Sequence, residues 1–408
     1  MNSQLAPAQR IHRLELIILM GTLQAFAPLS IDMYLPSMPL LERIFSATTA
    51  QVQSTLVTFI VGFALGQSLY GPVTDRFGRK KPLYFSLTLF FLSSAGCALA
   101  PSIHFLSLVR LLQAVGACGG AVISRAVVRD LFPPDEIRKV FSMLILVLGV
   151  SPMLAPLIGS YLLLWFGWTS VFWTQAALGA LCLVAIHFRL PESLPKEAMR
   201  PLSVETIRSS YKILLADRTF IGASVVCGFS SAGMFVYIAS APFVLIDLYK
   251  LPPQWFGWLF GAIATGIISA SQINGRMPLR IPIRSVLRRA NFVQCIAGAL
   301  VLLAIFTGKG GVAGLFVPVF VYMFAAGFVF PNGSTLAMIR HGKIAGSASA
   351  LLGTIQYAIA AVAIIALGEG QYSTALPMGL GIAICGFAAV CVNFLALTGH
   401  DDAHPSHS

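Results

Sequence analysis

The chain has 408 residues, 57% of them hydrophobic and only 10% charged, with a formal net charge of +12. Soluble domains draw about a quarter of their residues from Asp, Glu, Lys and Arg, whereas a mean hydropathy of +0.83 belongs to a chain solvated largely by lipid. Soluble enzymes, nucleic-acid-binding modules and disordered chains are therefore excluded, and the positive charge is first to be tested as membrane-orienting charge.

Apolar segments recur at 14–37, 50–70, 82–100, 104–128, 139–163, 168–188, 219–245, 255–275, 285–306, 313–337, 346–367 and 374–397. A spanning helix needs about 20 apolar residues, so these are twelve predicted spans. Strand-like alternation is absent, which excludes a β-barrel. The first segment follows Arg10 and Arg13, as a signal peptide would. It is too long for one and contains Asp32, so it reads as a retained span.

The longest polar stretch, Arg189 to Arg218, separates spans six and seven and contains Pro191, Pro195 and Pro201. The blocks on either side, 14–188 and 219–397, are nearly equal in length. That is the layout of a parallel two-fold repeat. The predicted organisation is a six-helix bundle over 1–188, a cytoplasmic linker over 189–218, a second bundle over 219–397 and a tail over 398–408. The tail carries His400, His404 and His407 but reads as a polar end, and no metal is expected.

With the N-terminus cytoplasmic, all but five of the 27 lysines and arginines fall on the cytoplasmic side. Arg43, Lys250 and Lys309 lie outside, and Arg110 and Arg125 lie within a span. This asymmetry accounts for the net charge without nucleic acid and places both termini in the cytoplasm. The seven cysteines sit in apolar stretches with no C-x-x-C spacing, as packing residues do. No G-x-S-x-G, H-E-x-x-H or G-x-x-x-x-G-K-[ST] occurs, so neither hydrolysis nor P-loop ATP use is predicted. A transporter of this kind draws on an ion gradient and needs no cofactor.

The loop after span two reads Gly71-Pro72-Val73-Thr74-Asp75-Arg76-Phe77-Gly78-Arg79-Lys80-Lys81-Pro82-Leu83. Its glycines permit a tight turn. Asp75 is expected to cap a neighbouring helix N-terminus, that of span eleven near Gly346 and Ser347. Span four contains Arg110-Leu111-Leu112-Gln113-Ala114-Val115-Gly116-Ala117. Span five contains Gly149-Val150-Ser151-Pro152-Met153-Leu154-Ala155-Pro156-Leu157-Ile158-Gly159-Ser160, where Gly and Pro allow close contact and a bend.

These three stretches resemble motifs A, B and C of the major facilitator superfamily, with Ala114, Ala155 and Ser160 in place of glycines. Span one, Ala27-Pro28-Leu29-Ser30-Ile31-Asp32-Met33-Tyr34-Leu35-Pro36, resembles the Bcr/CflA group, named for bicyclomycin resistance, of twelve-span drug:proton antiporters. The resemblance implies an all-α membrane fold of two pseudo-symmetric six-helix bundles. It implies an inner-membrane transporter, not an enzyme, that exports small amphipathic drugs in exchange for protons. Gly71, Asp75, Arg76, Gly78, Arg79, Pro152, Pro156 and Gly159 are the expected gating residues. Some related exporters carry an acidic residue where Gln24 stands here.

Ionisable groups inside spans are costly and rare. Glu15, Arg125, Asp247 and Glu369 lie near span ends, where anchoring or solvation explains them. Asp32 lies about 8 Å from the outer end of span one, and Arg110 about 9 Å from the outer start of span four. Opposite charges at similar depth in one half predict a proton-coupling site, against the plainer reading of a static ion pair. Gln24, Tyr34, Met234, Phe235, Tyr237, Asn332, Gln356 and Tyr357 are the expected substrate-binding residues, with helix packing as the alternative for each. Tyr34, Met234 and Tyr237 are expected to meet substrate between the halves. The expected partners are small-molecule drugs, protons and the lipid bilayer, with no nucleic acid, for a monomer. The competing functions are a metabolite symporter or exporter of the same fold and a membrane protein that does not transport.

Overall fold

A computed structural model describes residues 13–194, 204–278, 281–341, 344–368 and 374–397. The tail and Glu369 lie outside the described residues. The elements are α1 (Arg13–Asp32), a 3-10 turn (Leu35–Ser37), α2 (Met38–Phe45), α3 (Thr49–Phe77), α4 (Lys80–Ala98), α5 (Ile103–Leu131), α6 (Pro134–Phe166) and α7 (Thr169–Arg189). They continue with α8 (Val204–Ala216), α9 (Arg218–Pro242) with a π-helical turn (Phe243–Leu248), α10 (Pro253–Gly275), α11 (Ile283–Thr307), α12 (Gly311–Met338), α13 (Ala345–Gly368) and α14 (Leu376–Leu397).

Eleven of the described helices are long and apolar enough to cross a membrane. The remaining predicted span is α4, only 19 residues long, which begins with Lys80, Lys81 and Pro82. The lipid solvent is visible on the surface, where Ile18, Phe85, Leu92, Phe188, Phe306 and Leu395 are all more than half exposed. All seven cysteines are free.

Two boundaries differ from the sequence expectation. Span one stops being α-helical at Asp32, because Pro36 and Pro39 lack the N–H groups that would continue the ladder. A separate amphipathic helix, α2, follows. Span two instead runs on to Phe77, so the stretch from Gly71 is helical and the turn is confined to Gly78 and Arg79. Gly78 supplies the turn at φ +81, whereas a Cβ on Gly71 would meet nothing within 4 Å. The linker, for which no element was named from the sequence, contains α8.

The chain forms two compact units. The first comprises Met1–Val204, Tyr237–Thr265 and Ile364–Pro377, and the second Glu205–Val236, Gly266–Ala363 and Met378–Ser408. In the first, α5 packs on α1, α3 and α4, and small residues set the approach. A Cβ on Gly62 would strike the Leu111 carbonyl oxygen, one on Gly116 would stand 2.6 Å from the Phe90 nitrogen, and one on Gly66 2.7 Å from Cys118. A capping box at Thr48 and Gln51 starts α3, and Ser102 caps α5 by accepting from the Phe105 N–H.

The far ends of α9 and α10 close onto this unit. Gln53 Nε2 donates to the Ala239 carbonyl at 3.1 Å, Ser160 Oγ donates to the Pro253 carbonyl at 2.8 Å, and Arg43 pairs with Asp247 at 3.1 Å. In the second unit, Leu214, Phe220, Val226, Leu287, Val329 and Leu352 belong to one buried core. Phe316, Phe320, Phe324 and Phe328 form a ring ladder along α12.

Candidate functional site

The α-helical hydrogen bonding of α1 ends at Asp32, which leaves the Ser30 carbonyl without its helical donor, whereas the Leu29 carbonyl still accepts from the Met33 N–H at 3.2 Å. Polar side chains from two neighbouring helices bond both. Arg110 Nη1 donates to the Ser30 carbonyl at 2.9 Å, and Gln175 Nε2 to the Leu29 carbonyl at 3.4 Å. A cation at a helix C-terminus is favoured by the macrodipole. Arg110, fully buried on α5, thus finds its counter-charge in a helix end.

A polar network fixes it there. Arg110 Nη1 also donates to Gln113 Oε1 at 2.7 Å, and Gln113 Nε2 donates to Ser94 Oγ and to Gln175 Oε1, each at 2.8 Å. The guanidinium carbon lies 4.3 Å from the ring centre of Phe59, 4.9 Å from that of Tyr34 and 5.9 Å from that of Phe172. Such contacts stabilise a desolvated cation. Thr55 Oγ1 donates to the Val52 carbonyl at 2.6 Å, so the Tyr34 hydroxyl is the donor in its 2.8 Å bond to Thr55. Two guanidinium nitrogens, Nε and Nη2, and the Ser30 hydroxyl have no hydrogen-bond partner among the described residues.

Asp32 is 4% exposed. Among the described residues its carboxylate has no hydrogen-bond partner and forms no ion pair with Arg110. Close by, α6 presses on the chain at Met33: a Cβ on Gly159 would overlap the Met33 carbonyl. Pro152 and Pro156 lie inside the continuous helix α6. The first unit therefore holds a buried carboxylic acid and, apart from it, a buried guanidinium cation, each with unused polar capacity.

A second cluster lies at the basic end of the first unit. Arg79, 7% exposed, donates from Nη1 to Asp75 and from Nε to Asp130, both at 2.8 Å. Burial disfavours the Arg79 charge, but the bonds to Asp130 and Asp75 outweigh it and hold its pKa above the ordinary arginine value. Glu192 accepts from the backbone N–H groups of Arg79 at 2.7 Å, Lys80 at 3.0 Å and Leu194 at 3.1 Å. Ser193 Oγ donates to Asp130 at 3.2 Å. The Arg76 guanidinium stacks over the Phe77 ring. Asp130, Glu192 and Ser193 escaped the sequence reading; the Pro191-Glu192-Ser193 stretch directly after span six was the available signal.

The expected substrate residues divide between the units. Gln24 is buried in α1, and Tyr34 belongs to the Arg110 cage. Tyr237 stacks on Phe260 at 6.0 Å, and its hydroxyl has no hydrogen-bond partner among the described residues. In the second unit, Phe235 packs on Tyr357 at 5.9 Å, with Met234 half-buried next to it in sequence. Asn332 is held elsewhere, donating to Asn274 at 2.6 Å and to the Phe328 carbonyl at 2.7 Å. Gln356 is half-buried beside the Cys227 thiol. The sequence reading also missed a buried amide in this unit, Gln294, whose Nε2 donates to Ser230 Oγ at 2.7 Å.

Residues 20–365 match the Major Facilitator Superfamily. The chain belongs to this superfamily. Its members are secondary active transporters, not enzymes. A Bacillus subtilis (strain 168) protein named "Uncharacterized MFS-type transporter YdgK" is 42% identical over 90% of this chain and 91% of its own length. The "Bicyclomycin resistance protein homolog" of Haemophilus influenzae is 29% identical over 90% of this chain and 92% of its own. "Multidrug resistance protein D" of Escherichia coli (strain K12) is 26% identical over 92% and 96%. Among solved structures, a D-xylose-proton symporter aligns with a TM-score of 0.77 over 95% of this chain and 98% of that one. At 14% identity it shows the fold alone.

Proposed function

We propose that this major facilitator exports small amphipathic drugs across the bacterial inner membrane in exchange for protons, by alternating access and as a monomer. The relatives named for bicyclomycin and multidrug resistance support this substrate class. The basic helix ends set both termini in the cytoplasm by the positive-inside rule, so the far ends of α1 and α9 face outside. Energy comes from the proton gradient, and no cofactor is called for.

The observation that carries the reading is the unpartnered Asp32 carboxylate, buried in the same unit as Arg110. An ionised carboxylate in that position is costly. A proton arriving from outside neutralises Asp32 and removes the cost. Drug entering from the cytoplasm favours the ionised form and expels the proton inward. Repeating the two steps moves drug out and a proton in. Arg110 keeps a fixed positive charge at the end of α1 and biases the affinity of the site for anionic and cationic states. Aromatic rings with few polar groups suit amphipathic substrates, and Tyr34 and Tyr237 are the rings assigned to substrate here.

The test is a resistance panel in an efflux-deficient host, with and without a protonophore. Expression is expected to raise resistance to at least one amphipathic drug, and the protonophore to abolish the gain. Unchanged resistance together with improved growth on a sugar, organic acid or amino acid would replace this reading with nutrient uptake.

A further inference from the structure

The first unit carries a cavity away from both clusters, about 310 Å³ in volume, between the start of α1 and the end of α7. Leu16 and Leu19 form its floor at 6% and 9% exposed. Val184 and Phe188 form its walls at 56% and 76% exposed, on the surface that meets lipid. Glu15 and Arg189 stand at its mouth, joined by a 3.1 Å ion pair and themselves 44% and 58% exposed. Both lie at the terminal turns of their helices, and the ends of spanning helices are where headgroups meet the hydrocarbon. From Glu15 to Leu19 the floor descends about 6 Å into the membrane.

We propose that this groove binds a phospholipid whose headgroup combines a primary ammonium with a phosphate, as phosphatidylethanolamine does. One acyl chain lies along Leu16, Leu19 and Val184, the phosphate accepts from Arg189, and the ammonium donates to Glu15. The assignment rests on charge complementarity. An acid and a base side by side match a zwitterion laid with opposite polarity, and the apolar groove beneath them matches the chain joined to it. Guanidinium bonds phosphate through several N–H groups at once. A primary ammonium offers three N–H donors to a carboxylate, whereas a choline headgroup offers none and a glycerol headgroup carries no cation. Free phosphate or free ethanolamine would meet one of the two charges and leave the groove unfilled.

The full chain, purified in detergent, is incubated with dioleoyl-phosphatidylethanolamine, dioleoyl-phosphatidylcholine or dioleoyl-phosphatidylglycerol, and the lipid retained is read by native mass spectrometry. The ethanolamine lipid is expected to be retained about threefold over the other two, the scale of an exposed charge pair. Glu15→Gln should erase that preference, and Arg189→Gln should lower retention of all three lipids. Ala185→Trp, which fills the groove and leaves both charges in place, should also lower all three. Melting curves confirm that each variant is folded. Equal retention of the ethanolamine and choline lipids by wild type overturns the proposal, and so does a preference that survives Glu15→Gln. Stronger retention of the glycerol lipid would make Arg189 a simple anion site and overturn the zwitterion assignment.

Discussion

Arg110 caps the C-terminal end of α1, with Nη1 2.9 Å from the Ser30 carbonyl. Its planar group bonds Ser30 and Gln113 while lying over Phe59. Lysine keeps the charge but not the plane. Arg110→Lys is therefore expected to abolish drug resistance and to lower stability by about 1–3 kcal/mol for each polar group left bare. Thermal melting in detergent and a resistance assay check both. Wild-type values would mean that charge alone suffices.

Asp32→Asn removes the proton site of the proposed cycle and leaves the Arg110 network intact. Drug-induced proton release from purified protein in weak buffer should vanish, while drug binding persists. Release equal to wild type would move coupling to another group and leave Asp32 a structural residue.

The motif glycines should respond in opposite ways. A Cβ on Gly159 overlaps the Met33 carbonyl, and neither backbone can retreat cheaply. Gly159→Ala should cost about 1–3 kcal/mol, the range of an overpacked core. Gly71 is helical with open space around it, so Gly71→Ala should be neutral or stabilising by up to about 1 kcal/mol. Paired melting curves decide it; equal effects would refute the contrast.

Glu192 collects the N–H groups of Arg79 and Lys80, at the turn and the start of α4, together with that of Leu194. Glu192→Ala bares them and should cost about 0.5–2 kcal/mol, as loss of a helix cap does. Gly78→Ala should do at least as much, because its Cβ would stand 2.6 Å from a Glu192 carboxylate oxygen in a backbone conformation that already disfavours side chains. Unaltered melting in both variants would show that this clasp is dispensable.

Asp217 precedes α9 and is bonded by His341 at 2.9 Å and by the N–H groups of Thr219 and Phe220. Burial works to raise its pKa, but these bonds outweigh it and hold the carboxyl below its ordinary value. The stabilisation is fully present above the unfolded-state pKa of about 3.9 and is lost as pH falls through the lower folded-state value. Acidification should thus lower the melting temperature of wild type more than that of Asp217→Asn. Parallel decline would refute the linkage.

The apolar helices were legible because each is a long run with charge confined to its ends. Asp32 and Arg110 stood out as ionisable groups within such runs, and both are buried. The partner of Arg110 was not legible, because a side-chain reading of charge does not count the carbonyls exposed where a helix ends. Gly71 and Gly78 look alike in sequence, yet only Gly78 takes positive φ, since α3 continues through Gly71 to Phe77. Asp130 and Glu192 reach the loop across 51 and 113 positions of chain, a proximity that no local pattern encodes.

The first unit is composite: α9 enters it at Tyr237 and α10 leaves it at Thr265, both without a helix break. Cutting the chain in the linker therefore does not yield two self-sufficient pieces. A fragment ending at Leu194 lacks the stretch that supplies the Ala239 and Pro253 carbonyls and the Asp247 carboxylate to Gln53, Ser160 and Arg43. Two fragments made together would have those missing bonds as a reason to find each other in the membrane.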